Sequence, residues 1–254
     1  MQAAERYNMP STGENSGTAP VASACRRNWR QAFLERIYEG LIRADPIQPV
    51  DLIFVMAGRM NRKRYALQLY RRGVGPKLVL SVGRFEISKM SQTEFPFIDE
   101  LIAVRSVTPS SRRHFFVSLD QSGTRVELAS VPQWNTYGEV VGLKHYLERE
   151  AAAKIMVVST GIHLRRTAYT ISRVMKNQPC EILYCPVPDS DDLRKQSWWT
   201  RADSRYYVIS EAIKLAGYTM ILSMPTWVVG RLMRLKGWLD YTAVRVTARP
   251  PRRS

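Results

Sequence analysis

The residues with the most chemical potential fall into three short groups. Ser159-Thr160-Gly161 is followed at once by His163, Arg165 and Arg166. Hydroxyls and backbone N–H groups at the start of a helix can hold a phosphate, because the positive end of the helix dipole faces it. His163 and Arg166 are three residues apart and so share one helical face. Such a pair can neutralise and orient a phosphate, and the imidazole can also move a proton near neutral pH. Asn135-Thr136 with Glu139 forms the second group, in which Glu139 is the nearby acid that can serve as base or ligand. Gly58, with Arg59 after it, and Gly83, with Arg84 after it, form the third; a glycine lets the backbone turn sharply and approach a ligand.

Each group also has a purely structural reading. Thr160 is a good helix N-cap, and Asn135-Thr136 followed by Glu139 has the form of a capping box. Gly58 and Gly83 can be simple turn residues. A cap alone, however, does not call for His163, Arg165 and Arg166 directly behind it.

Short apolar runs alternating with helical patterns position these groups, which is the signature of βαβ units. The runs are 52–57, 78–82, 155–159 and 182–185, almost continuously apolar, as strands covered on both faces must be. Helical spacing marks 29–43, 62–72, 136–150 and 163–175, with a weaker pattern at 97–104. Gly73 and Gly75 stop the second of these, and Pro46 and Pro49 follow the first. The segments 115–119 and 125–131 flank Gln121-Ser122-Gly123 and predict a hairpin or edge excursion. The expected fold is therefore α/β: a three-layer, Rossmann-like, open and mainly parallel sheet with helices on both faces. In such sheets the ligand crevice lies beyond the carboxyl ends of the strands, where all three groups fall. Asp51, at the other end of the first strand, reads as structural.

The order and spacing of these motifs resemble the YdcF-like domain family, to which SanA and ElyC belong. The likeness runs from about Asp51 to Pro186. It rests on Asp51–Gly58 as a strand leading into glycine, then Arg64, Ala66, Leu69-Tyr70, Gly73 and Pro76–Ser81. Asn135-Thr136 with Glu139, and Val157–Thr160 with His163 and Arg166, complete it. Two departures stand out: Ala57-Gly58 and Val82-Gly83 replace paired glycines, and Gln133 or Trp134 stands where the family has a serine. The resemblance implies that the Asn135-Thr136 segment borders the same cleft. It also implies a role in cell envelope or peptidoglycan precursor metabolism, with a phosphorylated, nucleotide-like or lipid-linked ligand. S-adenosylmethionine, through the link of YdcF to that cofactor, is a subordinate possibility.

The chain holds 38 Lys and Arg against 22 Asp and Glu, a formal charge of +16, which favours anionic partners. Anionic small molecules, a lipid-linked phosphate and an anionic membrane face all qualify. Nucleic acid is disfavoured, since the charge is scattered and no DNA- or RNA-binding motif occurs. Cys25, Cys180 and Cys185 have no metal spacing and form no disulfide framework. With His114 and His145 lacking any metal motif, no metal site is expected. No Walker loop, G-x-S-x-G elbow or G-x-G-x-x-G follows the first strand. The polar segment 1–24 reads as a disordered tail without a signal peptide, implying a cytoplasmic protein. Residues 25–217 read as one domain. Asp189, Asp191 and Asp192 read as a solvated turn, and 201–216 as a helix packing across the domain. Residues 218–254 combine Trp, Leu and Met with Arg and Lys, and read either as a helix docked on the core or as one lying in a membrane interface, peripheral to an inner membrane. An enzyme and a non-catalytic membrane-associated scaffold both fit.

Overall fold

The computed structural model describes residues 29–83, 86–90, 95, 97–129, 135–188, 193–225, 227–232 and 235. The N-terminal tail, Arg84, Gln133, Trp134, the Asp189–Asp192 cluster and most of the basic C-terminal stretch lie outside them.

The chain is α/β. It runs through α1 (Trp29–Leu41), β1 (Leu52–Val55), α2 (Met60–Arg71), β2 (Leu78–Gly83), α3 (Ile87–Met90), α4 (Ile98–Val107), β3 (His114–Asp120) and β4 (Gly123–Leu128). Then follow α5 (Thr136–Arg149), β5 (Lys154–Thr160), α6 (Gly161–Val174), β6 (Glu181–Val187) and α7 (Ala202–Leu222). The six strands form one sheet in the order β4-β3-β2-β1-β5-β6. β2, β1, β5 and β6 are parallel neighbours, whereas β3 is antiparallel to both β2 and β4. The sheet is therefore mixed. The expected hairpin is the source of the difference: its tight turn at Asp120–Gly123 forces β4 back along β3 and extends the β2 edge.

The four parallel strands are buried on both faces, which explains their unbroken apolar runs. Alternate residues of β1 separate cleanly: Ile53 and Val55 join a core with Ala66 and Leu69 of α2, while Leu52 and Phe54 join Val140 and Leu143 of α5 and Leu164 and Ile171 of α6. From the centre of the sheet, α2 carries the chain towards β2 and α6 carries it from β5 out to β6. Crossovers of one hand that step in opposite directions must lie on opposite faces, as α2 and α6 do. Helix α2 ends in a Schellman motif, with Gly73 at φ 74°, its N–H bonded to the Tyr70 carbonyl and Val74 N–H bonded to that of Leu69. Asp51 accepts the Ala153 and Lys154 N–H groups and ties the start of β1 to β5.

Helix α7 lies across the domain. Val208 packs with Tyr38 and Leu41 of α1 and Ile162 of α6, while Tyr218 and Leu222 pack with Val229, Tyr137 and Tyr169. It runs unbroken through 217–218, where the sequence had suggested a boundary.

Candidate functional site

β1 and β5 are adjacent and parallel, yet the chain leaves them towards opposite edges and opposite faces. Their carboxyl ends therefore open a crevice. Immediately after β1 the N–H groups of two consecutive residues bind two different carboxylates. Ala57 N donates to Glu139 Oε1 at 2.6 Å and Gly58 N donates to Glu86 Oε1 at 2.8 Å. Gly58 has φ 131°, a conformation side chains avoid, and a Cβ there would stand 2.9 Å from Arg62 Nη1. Only glycine fits.

Glu86 is an anchor. It also accepts the Gly83 N–H at 3.2 Å and forms an ion pair with Lys63, whose side chain is wholly buried. Glu139 is different. It is buried on the first turn of α5 and lines the crevice, and burial raises its carboxyl above the ordinary range. Hydrogen bonds from Ser81 and Ala57 oppose that rise, as does Arg62, while the charge of Glu86 adds to it. Ser81 Oγ lies 2.7 Å from His114 Nε2, so a buried chain runs from His114 through Ser81 to Glu139. Burial, and then the charge of Lys63, push His114 down to about 4, so the ring is neutral.

Arg62 crosses the crevice. It donates to the Ala57 carbonyl and, at 2.8 Å, to Thr160 Oγ1. Burial lowers its pKa to about 10, with Glu139, Glu86 and Glu211 acting against that shift, so it stays protonated at neutral pH.

On the other wall, Arg166 Nη2 lies 2.8 Å from His163 Nδ1. A guanidinium has donors only, so Nδ1 must be the acceptor and the ring proton sits on Nε2. Burial and then the Arg166 charge push His163 down to about 3, in keeping with a neutral ring. Arg166 also donates to Glu211 through Nε at 3.1 Å and Nη2 at 2.9 Å, and to Thr136 Oγ1. Burial acts to raise the Glu211 carboxyl, yet it is held below the ordinary range. His163 Nδ1 already accepts from Arg166, so the 3.3 Å approach of Glu211 is not a hydrogen bond from the ring. The neighbouring cations Arg166 and Lys214 are the physical cause.

Two chambers share a wall, named inner and outer by their nearness to Glu139. The inner one, about 330 Å³, is lined by Gly83, Arg113, His114, Asn135, Thr136 and Glu139 among others. The outer one, about 580 Å³, is lined by Arg59, Lys89, Thr160, Tyr207 and Lys214 among others. Gly58, Arg62, Glu86, His163 and Glu211 line both. Helices α2 and α6 begin at the outer chamber with Arg59 and Thr160 as N-caps, and neither side chain caps its helix. The Arg59 guanidinium lies 4.4 Å over the Tyr207 ring.

The expected residues thus divide. Gly58, Arg59, Gly83, Asn135, Thr136, Glu139, Thr160 and His163 face the chambers. Arg166 does not line either one; it stands behind His163 with its charge set against Glu211. Ser159 does not line them either: it is fully buried, and its hydroxyl has no hydrogen-bond partner among the described residues. Asn135 is the cap of α5, accepting Gly138 N–H at 2.9 Å. With Asn135 as the cap, the third helical position is Gly138, which has no side chain to complete a capping box; Glu139, one residue further on, bonds Ala57 N–H instead. Thr160 occupies the cap position of α6, but its hydroxyl accepts from Arg62. Arg62, Glu86, His114 and Glu211 were not evident from the sequence, because each joins the site through a partner distant in the chain. Among the described residues, no three His, Cys, Asp or Glu side chains stand together to hold a metal ion.

No family model, curated protein or solved structure matches the chain.

Proposed function

We propose that the crevice binds a phosphorylated small molecule or a lipid-linked phosphate, and that Glu139 moves a proton on the bound ligand. The observation that carries this reading is the convergence of two helix N-termini, neither capped by its own side chain, on a chamber ringed by Arg59, Arg62, Lys89 and Lys214. Its two acids are already matched by cations: Glu86 by Lys63, and Glu211 by Arg166 and Lys214. First-turn N–H groups and matched acids leave an anion favoured there.

The division of labour follows from the geometry. Phosphate oxygens occupy the outer chamber. The rest of the ligand, or an attacking water or hydroxyl, occupies the inner one beside Glu139. A carboxylate of raised proton affinity is a better base than an ordinary one. His163, neutral and carrying its proton on Nε2, stands at the junction as a hydrogen-bond donor to an oxygen there. The reaction class is phosphoryl transfer: Glu139 takes the proton of a hydroxyl or water as its oxygen bonds to phosphorus, the bond to the leaving alkoxide or phosphate breaks, and Glu139 then gives up the proton to the departing group or to solvent.

In this reading the chain is a YdcF-like protein with a three-layer, Rossmann-like fold. It works on an envelope or peptidoglycan precursor at the cytoplasmic side of a membrane. Among the described residues no helix is long and apolar enough to cross a membrane. A second reading draws on the three carboxylates that line the inner chamber, Glu86, Glu139 and Glu211. Glu86 and Glu211 already have cation partners, so Glu139 is the one that would meet a cationic ligand such as the sulfonium of S-adenosylmethionine. The non-catalytic scaffold is the remaining alternative, with the crevice holding only a regulatory ligand.

A thermal-shift series with nucleotides, sugar phosphates, polyprenyl phosphate and S-adenosylmethionine separates these readings, since a ligand selective for the folded state raises Tm. Phosphorylated ligands should raise Tm, Arg59→Ala and Lys89→Ala should reduce that rise, and Glu139→Gln should keep the rise while losing turnover. A rise with S-adenosylmethionine alone establishes the second reading against the first. Turnover undiminished in Glu139→Gln removes the assigned base and, with it, the enzyme mechanism.

A further inference from the structure

Helix α7 is apolar on two sides. Its inner side carries Val208, Tyr218 and Leu222 into the domain, and Tyr207, Glu211 and Lys214 face the outer chamber. The side turned away from the core carries Tyr206, Ile209, Ile213 and Met220, which are 71, 48, 67 and 68% exposed. At 3.6 residues per turn these four fall within about 60° of one another around the axis, nearly opposite the buried face. They form a straight stripe roughly 20 Å long. Beyond the end of α7, Met224 and Trp227 are also exposed, Trp227 in the short helix 227–232. Scattered exposed apolar residues need no explanation, but an aligned row does.

We propose that this stripe is a docking surface for an anionic lipid bilayer, with α7 lying in the plane of the interface. Charge complementarity selects lipid over a second copy of the chain. Arg205 flanks the stripe on one side, and Arg231 follows it; both are exposed. The sequence beyond 235 adds Lys236, Arg245, Arg249, Arg252 and Arg253 against Asp240 alone. Two molecules each carrying +16 repel one another, whereas an anionic leaflet attracts both the stripe's flanks and the basic stretch. A row of Ile, Met and Tyr bordered by cations, with an exposed Trp soon after it in the chain, is the composition of a helix seated at the headgroup level. α7 does not qualify as a spanning helix, which leaves it lying on the surface.

The surface stands whether or not the crevice binds phosphate. Docked this way, α7 lies between the headgroups and the outer chamber, which its other face helps to line.

The test is flotation of the full chain with phosphatidylcholine vesicles, with and without phosphatidylglycerol. Binding is expected only with the anionic lipid, and it should weaken as salt rises. Ile213→Asp with Met220→Asp should cut it by about tenfold or more. Arg231→Glu should cut it by about fivefold or more. All three positions are exposed, and an unchanged thermal melt confirms that the variants fold. Brominated lipid should quench the wild type more than Trp227→Phe. The proposal is overturned by flotation that the α7 variants leave intact. It is equally overturned by absent flotation, including a result in which light scattering shows a dimer that those variants dissociate, or in which an acidic protein binds the stripe instead. Thermal shift with soluble phosphate ligands still reports on the crevice in every case.

Discussion

His114 and His163 make the crevice a source of acid sensitivity. Both rings are buried and neutral, with pKa values pushed down to about 4 and about 3. In the unfolded chain they return to about 6.5, so below that pH the unfolded state binds more protons than the folded one. Stability therefore falls as pH drops from about 6.5 towards 4, by up to ~1.4 kcal/mol per pH unit for each ring. Glu139, with its raised pKa, has the opposite sign and favours the folded state as pH falls through the carboxylate range. Between about pH 5 and 6.5 the two histidines dominate. Tm should decline over that window, and His114→Gln should remove about half of the slope. A flat Tm from pH 7 to 5 would contradict the assignment of both rings as neutral. Arg62→Met tests the opposite kind of group. It removes a buried cation from Glu139, Glu86 and Glu211 together with the bonds to Ala57 and Thr160, and should cost about 3 kcal/mol or more in urea unfolding. At this scale the sequence revealed what lies at strand ends: Gly58, Thr136, Glu139 and His163. It hid Glu86 and Glu211, because their partners are set by how a loop and α7 fold back over the crevice.

The elements explain why the turn after β1 admits so little variation. Gly58 must hold φ 131° while its N–H reaches Glu86 and Ala57 N–H reaches Glu139. Gly58→Ala adds strain of about 1–3 kcal/mol and pushes directly on the Arg62 guanidinium. It should therefore lower Tm and weaken ligand binding together. Gly73→Ala, which also has positive φ but an open surround, should lower Tm alone. A Gly58→Ala protein with wild-type ligand affinity would separate the turn from the site. Strands β1, β2, β5 and β6 were readable because burial on both faces writes an unbroken apolar run. The antiparallel placement of β3 was not, since a hairpin pattern does not say which edge it joins or in which direction. Helix α7 was the least legible: apolar on its buried and its exposed sides alike, it shows neither a clean amphipathic face nor an obvious end.

That ambiguity has its largest consequence for the molecule as a whole, because the sequence suggested a domain ending at 217 and the folded chain continues past it. Tyr218, Leu222 and Val229 form a buried cluster against Tyr137 of α5 and Tyr169 of α6. Arg173 of α6 donates twice to the Leu222 carbonyl, and Tyr218 lies under the Arg166 guanidinium at 5.0 Å. A chain ended after 217 loses three buried side chains worth roughly 1.5–3 kcal/mol each, a total comparable with the whole stability of many domains. It also uncovers Arg166, the group that fixes the His163 tautomer. Such a chain should melt far below the full protein or fail to fold. A chain ended after 235 keeps the cluster and should melt as the full protein does, while losing part of its affinity for anionic vesicles along with the basic stretch. Equal melting of the 217 chain and the full protein would show that the segment from Tyr218 onward is an appendage. The opposite result makes it one body with the crevice, so that whatever α7 docks against is held at a fixed distance from Glu139 and His163.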